Sequence, residues 1–527
     1  MTLPPSDPSR SRRERRWRGA VAGIVAAGAA LAAGQLPSAI AGEAEGPVTA
    51  VGNVFVDRFA ASLKDIAIQL FGQNDKVALV VGIVVISLLL GAALGVLALR
   101  SFALAVLGLG AFAVVGLIAV VTDSSAGGGV AVASALTGGV AGIGVLGLLM
   151  HQIGRGPDLA TTLRRAGDVE DPRVRTPDRR TFLGVSAAAG AAAALTAVGA
   201  RSLRGRSIVD AQRDALVLPQ PVRSTPLQAE VLEIPGVSPY VTPTEDFYRI
   251  DTALVTPRVD AESWRLRVGG LVEEPFELTF DELLEMDVVE EPVTIACVSN
   301  EVGGGLVGNA VWLGVPLADL LDRAGVRAEG TQVVGRSTDG FTVGFPTDVA
   351  TDGRVAMVAV GMNGEPLPAD HGYPARLIVA GLYGYVSATK WLTEIELTRF
   401  EDFDAYWIPR GWSKLGPIKT QSRIDVPRRT VDAGSVPIAG VAWAPHIGIA
   451  TVEVSIDDGP WQPADLHGTA NDSTWAQWVH QWDATPGAHT IRCRATDATG
   501  STQTAERSDP APDGATGLHT VQVTVRG

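Results

Sequence analysis

Five apolar stretches crowd the first 200 positions, and they limit what this chain can fold into more than any other feature. They cover about 19–42, 77–99, 101–122, 129–153 and 181–200. Each is near the ~20 residues that a helix needs to cross the hydrocarbon core of a bilayer. The second is the clearest, with no charge between Lys76 and Arg100. The first and fifth are rich in Ala and Gly. A chain of 527 residues exceeds one domain. Whatever chemistry it performs is therefore expected in the part beyond these stretches.

Charge divides at the same place. Residues 1–206 hold 20 Lys and Arg against 13 Asp and Glu, a net of +7; the whole chain is −14, so 207–527 carries −21. A strongly acidic globular part excludes nucleic-acid binding, which needs basic surface. It suits a soluble unit that stays dispersed. Positive charge also orients membrane spans. Arg10, Arg12, Arg13, Arg15, Arg16 and Arg18 precede the first apolar stretch, and the 155–180 loop carries seven Arg. Both are expected on the cytoplasmic side. The loops 43–76 and 123–128 then fall outside, and five crossings put everything after residue 200 outside too. Arg201, Arg204 and Arg206 count slightly against this. Gly91-xxx-Gly95 and Gly138-xxx-Gly142 have a spacing that lets helices pack closely, although in Ala/Gly-rich sequence it is often accidental.

Asp178-Arg-Arg-Thr-Phe-Leu-Gly184 stands before the fifth stretch. It resembles a twin-arginine export signal, placed internally; the plainer alternative is a basic flank that stops transfer. Of seven His, only His151 lies near an apolar stretch. A membrane haem with two His ligands cannot be assembled from this chain alone.

The soluble part begins after a Pro-rich lead-in. Trp264, Leu266 and Val268 alternate as a strand ending at Gly269-Gly270. Thr279-Phe-Asp-Glu282 is a capping box that opens a short helix. Pro316 at a first-turn position and Gly325 just past the end bracket another helix over 317–324. Strands mixed with short helices predict an α+β unit. Further on, Val452, Val454 and Ile456 alternate before the Asp457-Asp-Gly459 turn. Ile491, Cys493 and Ala495 alternate, as do Val521, Val523 and Val525. Short strands with turn signals predict a β-sandwich, with Cys493 in its core. The two cysteines fall in different predicted domains, so no disulfide framework is expected.

Cys297 lies in Val293-Thr-Ile-Ala-Cys-Val-Ser-Asn300, with Val293, Ile295 and Cys297 on one face of a strand. On residue type alone it is a buried, inert core cysteine. The segments C-terminal to it reverse that reading. Trp312-Leu-Gly-Val-Pro-Leu-Ala-Asp-Leu-Leu321 comes first. Then come Met362-Asn-Gly-Glu-Pro-Leu-Pro-Ala-Asp-His-Gly-Tyr-Pro-Ala-Arg376, Gly384 and Lys390-Trp391-Leu392. Together these resemble the molybdopterin domain of the sulfite oxidase family. The resemblance implies that Cys297 gives its thiolate to molybdenum, a role that suits a soft, deprotonated ligand. It implies that His371, Arg376 and Lys390 hold an anionic pterin. Arg can grip a phosphate with two parallel hydrogen bonds and Lys as a point charge. Phe247-Tyr248-Arg249 resembles the family's N-terminal pterin contact, making Tyr248 and Arg249 candidates. Ser337, or Thr338 beside it, is matched more loosely as a hydroxyl. Lys390 stands one residue further from Arg376 than in the family pattern. Gly440-Val-Ala-Trp, the 452–459 segment and Arg494-Ala-Thr-Asp497 resemble the immunoglobulin-like dimerisation domain that comes after the molybdenum domain in this family.

Hydropathy, charge and this resemblance together predict a multi-domain architecture. A basic tail (1–18) precedes four membrane helices (19–154), an Arg-rich loop (155–180), a fifth helix (181–200) and a linker (201–241). A molybdopterin domain (242–415) and an all-β immunoglobulin-like domain (420–527), expected to pair two copies, complete it. The implied activity is two-electron oxygen-atom transfer with molybdenum-molybdopterin as cofactor. Electrons would pass to or from an external cytochrome or quinone-linked membrane protein, since no second redox motif is visible. Sulfite oxidisers place an Arg shortly after the cysteine and another in the last motif. Here Glu301 stands after Asn300, and Tyr385, Val386 and Ser387 fill the last motif. A sulfoxide or other organic oxygen donor or acceptor is therefore a better expectation than sulfite. Gly303-Gly-Gly305 leaves the metal mouth open or flexible. The alternative from another class is a non-catalytic membrane receptor with an immunoglobulin-like ectodomain. It accounts for the spans and the β-rich end but not for the 363–391 block.

Overall fold

A computed structural model describes residues 8–41, 48–52, 75–122, 128–153, 179–205, 208–227 and 231–527. Residues 123–127 and 154–178 of the expected loops, and most of 43–76, lie outside the described residues. The chain packs into two compact units, 1–207 with 253–258, and 208–252 with 259–527.

In the first unit, five helices are long and apolar enough to cross a membrane. They are Pro8–Gly34, Asp75–Ala98, Phe102–Thr122, Gly128–Gln152 and Arg179–Gly205. The Ala/Gly-rich first helix is the hub. Its apolar window is 44% buried, against 11–28% for the others. Its small residues allow this. Gly19 and Gly23 press against the backbone of Gly91 and Gly95, leaving no room for a Cβ. At Gly138 and Gly142 an added Cβ would come within 2.9 and 3.0 Å of Ala30. Both small-residue spacings are thus helix contacts. Leu89, Leu90, Leu104 and Leu107 point outward and are exposed, as lipid-facing residues would be. Phe182 of the Arg-Arg-Thr-Phe-Leu motif is buried edge-on against Trp17, 6.3 Å between ring centroids.

The second unit holds three sheets. One runs in the order Arg223–Ser224, Val289–Ala296, Val307–Pro316, Ala356–Met362, Arg376–Val379, with Glu365–Pro366 paired to the fourth strand. Another runs Phe276–Thr279, Arg265–Gly270, Leu392–Thr398, Gln332–Ser337, Thr342–Pro346. Leu266 and Val268 are fully buried, as their alternation predicts. The capping box forms at Thr279 and Glu282. The Leu317–Ala324 helix ends on Gly325 at φ 65°, but Pro316 is its N-cap and the last residue of a strand, not a first-turn residue.

The 421–526 region forms a third sheet of eight strands. Ile438, Val452, Val454, Trp478, Ile491, Cys493 and Ala495 make its own core. At its other end this region joins the neighbouring core. Trp443 and Trp475 belong there, Thr294 N donates to Ser473 O at 2.9 Å, and Trp475 N donates to Thr294 Oγ1 at 2.7 Å.

Candidate active site

Cys297 sits just past the end of the Val289–Ala296 strand, not within it. That strand is buried on nearly every residue, as a central strand between two layers should be. Val293 and Ile295 are buried on that strand as expected, but so is Thr294 between them, so alternation is not what places the thiol. Cys297 N donates to Leu306 O at 2.9 Å, closing the loop between them, and Asn300 Oδ1 accepts from Leu306 N at 2.8 Å. The thiol is buried. Gly384, at the start of a single helical turn, is close enough to the strand end that a Cβ would lie 3.9 Å from Ala296 O.

His371 ends the short turn before the Arg376–Val379 strand, Arg376 begins the strand, and both are buried. Burial, then the charges of Arg376 and Lys390, push the His371 pKa down to about 4, so the ring is neutral at pH 7. Its Nε2 faces the Thr244 carbonyl at 3.3 Å. A carbonyl only accepts, so Nε2 carries the proton and Nδ1 is a lone-pair acceptor. That Nδ1 is buried with no partner. The Arg376 guanidinium donates to His371 O at 3.1 Å and lies 5.1 Å over the Trp312 ring. Its Nε is buried without a partner. Among the described residues no carboxylate pairs with it, and burial brings its pKa down to about 10.

The other candidates are differently placed. Lys390 is buried and ion-paired to Asp251 at 3.2 Å; it also donates to Asp370 O at 2.9 Å. Burial lowers its pKa to about 8, with Asp251 opposing. Arg249 is half-exposed and meets both Asp251 and Asp370 at 3.0 Å. Tyr248 stacks on Phe247, centroids 5.2 Å apart. Burial raises its pKa, as does the nearby Cys297, while Arg376 opposes. Ser337 Oγ accepts weakly from Asp339 N at 3.4 Å, whereas Thr338 Oγ1 is buried without a partner. Of the two hydroxyls, Thr338 is the one left open.

Sequence reasoning missed Asp251, whose carboxylate joins Arg249 to Lys390. No motif marks it. It also missed the work of Asn363, which begins the 363–391 block. At φ 53° it turns the chain, accepts from Val311 N and donates to Thr242 O and Thr244 Oγ1, holding the segment that receives His371. An Asn-Gly pair signals that turn. Tyr385, in the position discussed for sulfite oxidisers, is buried and donates to Ser413 O at 2.6 Å. Glu301 is exposed.

A buried, unneutralised guanidinium and a buried acceptor nitrogen with no donor are costly unless a ligand satisfies them. A molybdopterin fits both, because it carries an anionic phosphate and a ring with N–H donors. No group of three or more metal-ligating side chains occurs among the described residues.

Comparison with known proteins points the same way. The family model for the oxidoreductase molybdopterin binding domain matches residues 253–407. Mitochondrial sulfite oxidase of Rattus norvegicus is 29% identical over 309 residues, covering 49% of this chain and 56% of the relative. The uncharacterized oxidoreductase YuiH of Bacillus subtilis is 33% identical over 180 residues, covering 34% of this chain and 87% of the relative. The sulfane dehydrogenase SoxCD structure from Paracoccus pantotrophus aligns with a TM-score of 0.47 at 24% identity, covering 61% of this chain and 95% of that one. The chain spans about half the length of the mitochondrial sulfite oxidases it matches.

Proposed function

The chain belongs to the sulfite oxidase family of molybdopterin-binding oxidoreductases, and from that premise we propose that it transfers an oxygen atom to or from a small organic substrate at a molybdenum held by Cys297. The family and its cofactor make the chain an enzyme, in place of the receptor alternative. The observation that carries the site assignment is Arg376, a buried cation with no carboxylate. It would meet the cofactor phosphate, His371 Nδ1 would accept from the pterin ring, and Thr338 or Ser337 would add a hydroxyl. Lys390, set by Asp251, and the Tyr248–Arg249 pair would close the site. Bound molybdenum supplies the two-electron change and the exchangeable oxygen. The protein supplies the thiolate, the orientation and the exclusion of water.

The substrate reading rests on charge. A sulfite dianion needs cationic clamps, and the residues expected there are the exposed Glu301 and the hydrogen-bonded Tyr385. A sulfoxide or another neutral donor suits such a mouth better. The five apolar helices support a membrane anchor, with the catalytic unit on the outer side, an immunoglobulin-like domain pairing two copies, and electrons exchanged with a cytochrome or quinone-linked partner. The Arg179-Arg180 motif would serve export of the folded, cofactor-loaded unit.

Cys297→Ser is the test. Metal content and dye-linked turnover are measured together on membranes from a cofactor-competent host, with dimethyl sulfoxide and sulfite as substrates. The fold and the pterin should survive, while turnover falls at least ~100-fold, beyond the loss typical of an outer-shell partner. Full turnover with bound molybdenum would return Cys297 to the core.

A further inference from the structure

A cleft of about 660 Å³ opens beside the loop that leaves Cys297. Gly303 and Gly305 of that loop line it, with Arg423, Arg428, Arg429 and His519 from the β-rich region. The volume is that of a pocket for a small organic molecule, ~300–1,000 Å³. Its charge runs against the background. Residues 207–527 carry −21, yet Asp246 is the one acidic residue in this wall.

The cations differ in availability. Arg423 is committed to structure. Its Nε meets Asp425, and its other nitrogens donate to Gly304 O and Ser238 Oγ, all at 2.7 Å. Arg428 and Arg429 are exposed, and neither pairs with a carboxylate among the described residues. Arg428 Nε donates only to a backbone carbonyl, Asp425 O at 2.8 Å.

His519 adds direction. Ile424 N donates to its Nδ1 at 2.9 Å. Nδ1 is therefore the acceptor and Nε2 carries the hydrogen. Burial, then the charge of Arg423, lowers the ring's pKa and keeps this neutral tautomer at pH 7. The ring lies so close to Gly303, at φ 77°, that no Cβ would fit between them. Among the described residues no acceptor takes the Nε2 hydrogen. The result is one N–H donor and two guanidiniums without a carboxylate partner among the residues that line one cleft.

We propose that this cleft binds the oxyanion group of a small organic molecule, a sulfonate, phosphate or carboxylate, through His519 Nε2, Arg428 and Arg429. The site needs no redox chemistry at Cys297, so it stands or falls separately from the function proposed above. Because Arg423 ties Gly304 to the same wall, the bound molecule touches the loop that leaves the metal ligand.

Calorimetric titration of the detergent-solubilised holoenzyme at constant ionic strength tests this, with 2-hydroxyethanesulfonate, acetate, sulfate and inorganic phosphate as probes. Saturable binding is expected. His519→Asn should weaken it about tenfold, because the Asn oxygen still accepts from Ile424 N while the Nε2 donor is lost. Arg428→Gln with Arg429→Gln, both on exposed side chains, should weaken it at least tenfold. Arg399→Gln, an exposed arginine outside the cleft, should stay within about twofold. Tighter binding of the organic sulfonate than of sulfate identifies an organic ligand, and the reverse order a free inorganic oxyanion. No saturable binding of any probe, or equal weakening in Arg399→Gln, would overturn the proposal.

Discussion

Arg376 shows how a single residue can declare a ligand. In the protein alone its charge is buried beside a neutral His371 and over Trp312. Among the described residues only the His371 carbonyl and the Trp312 ring face it, and no carboxylate balances its charge. Arg376→Met should therefore leave the apoprotein as stable as before, or slightly more so, while cofactor occupancy falls at least ~10-fold. Melting of cofactor-free protein and molybdenum analysis of loaded protein measure the two halves. Collapse of the apoprotein would make Arg376 a structural residue. His371 makes a separate prediction through pH. Its folded pKa of about 4 lies below the unfolded 6.5, so the unfolded chain binds the extra proton in between. Its contribution is fully present above pH 6.5 and is lost as pH falls toward 4, a range of about 3 kcal/mol. His371→Gln can still donate to Thr244 O. It should flatten the difference in apoprotein stability between pH 6.5 and 4, and an unchanged pH profile would count against the buried neutral ring.

Elements were most legible where a local rule acts alone. The Thr279–Glu282 capping box, the Gly325 helix stop and the buried Leu266–Val268 alternation all appear where spacing predicts them. The strand before Cys297 forms where predicted but ends one residue short of the cysteine, and because both of its faces are covered, period two carries no signal there. The glycine spacings of the long apolar helices left two readings open, and close backbone contact decides between them. Gly91→Leu would force the first helix off Gly23. It should lower the yield of folded membrane protein severalfold in detergent extraction, while the soluble unit, a separate packing unit, keeps its own unfolding transition. A variant as stable as the parent would make that crossing incidental.

For the whole molecule, the proposed sidedness rests on the arginines before the first apolar stretch and in the 155–180 loop. A reporter active only in the cytoplasm, fused after residue 210, should stay silent, and replacing Arg179 and Arg180 with Lys should restore its signal. Strong signal from the unaltered fusion would reverse the topology. The division into an apolar first part and an acidic second part follows from the sequence alone, because length and hydropathy act locally along the chain. The cofactor class came from the family resemblance that the 363–391 block carries, which is legible because its residues lie close together along the chain. The site itself needed the fold. Asp251 reaches Lys390 across 139 positions, and His371 reaches Thr244 across 127. Trp475 and Arg423 bring the β-rich region onto the strand and loop of Cys297. Which cation is paired, which nitrogen holds the proton and which hydroxyl stays open depend on burial and on distant partners. Those are set only when the sheets pack, because charge and hydrogen bonding are decided by what is near in space.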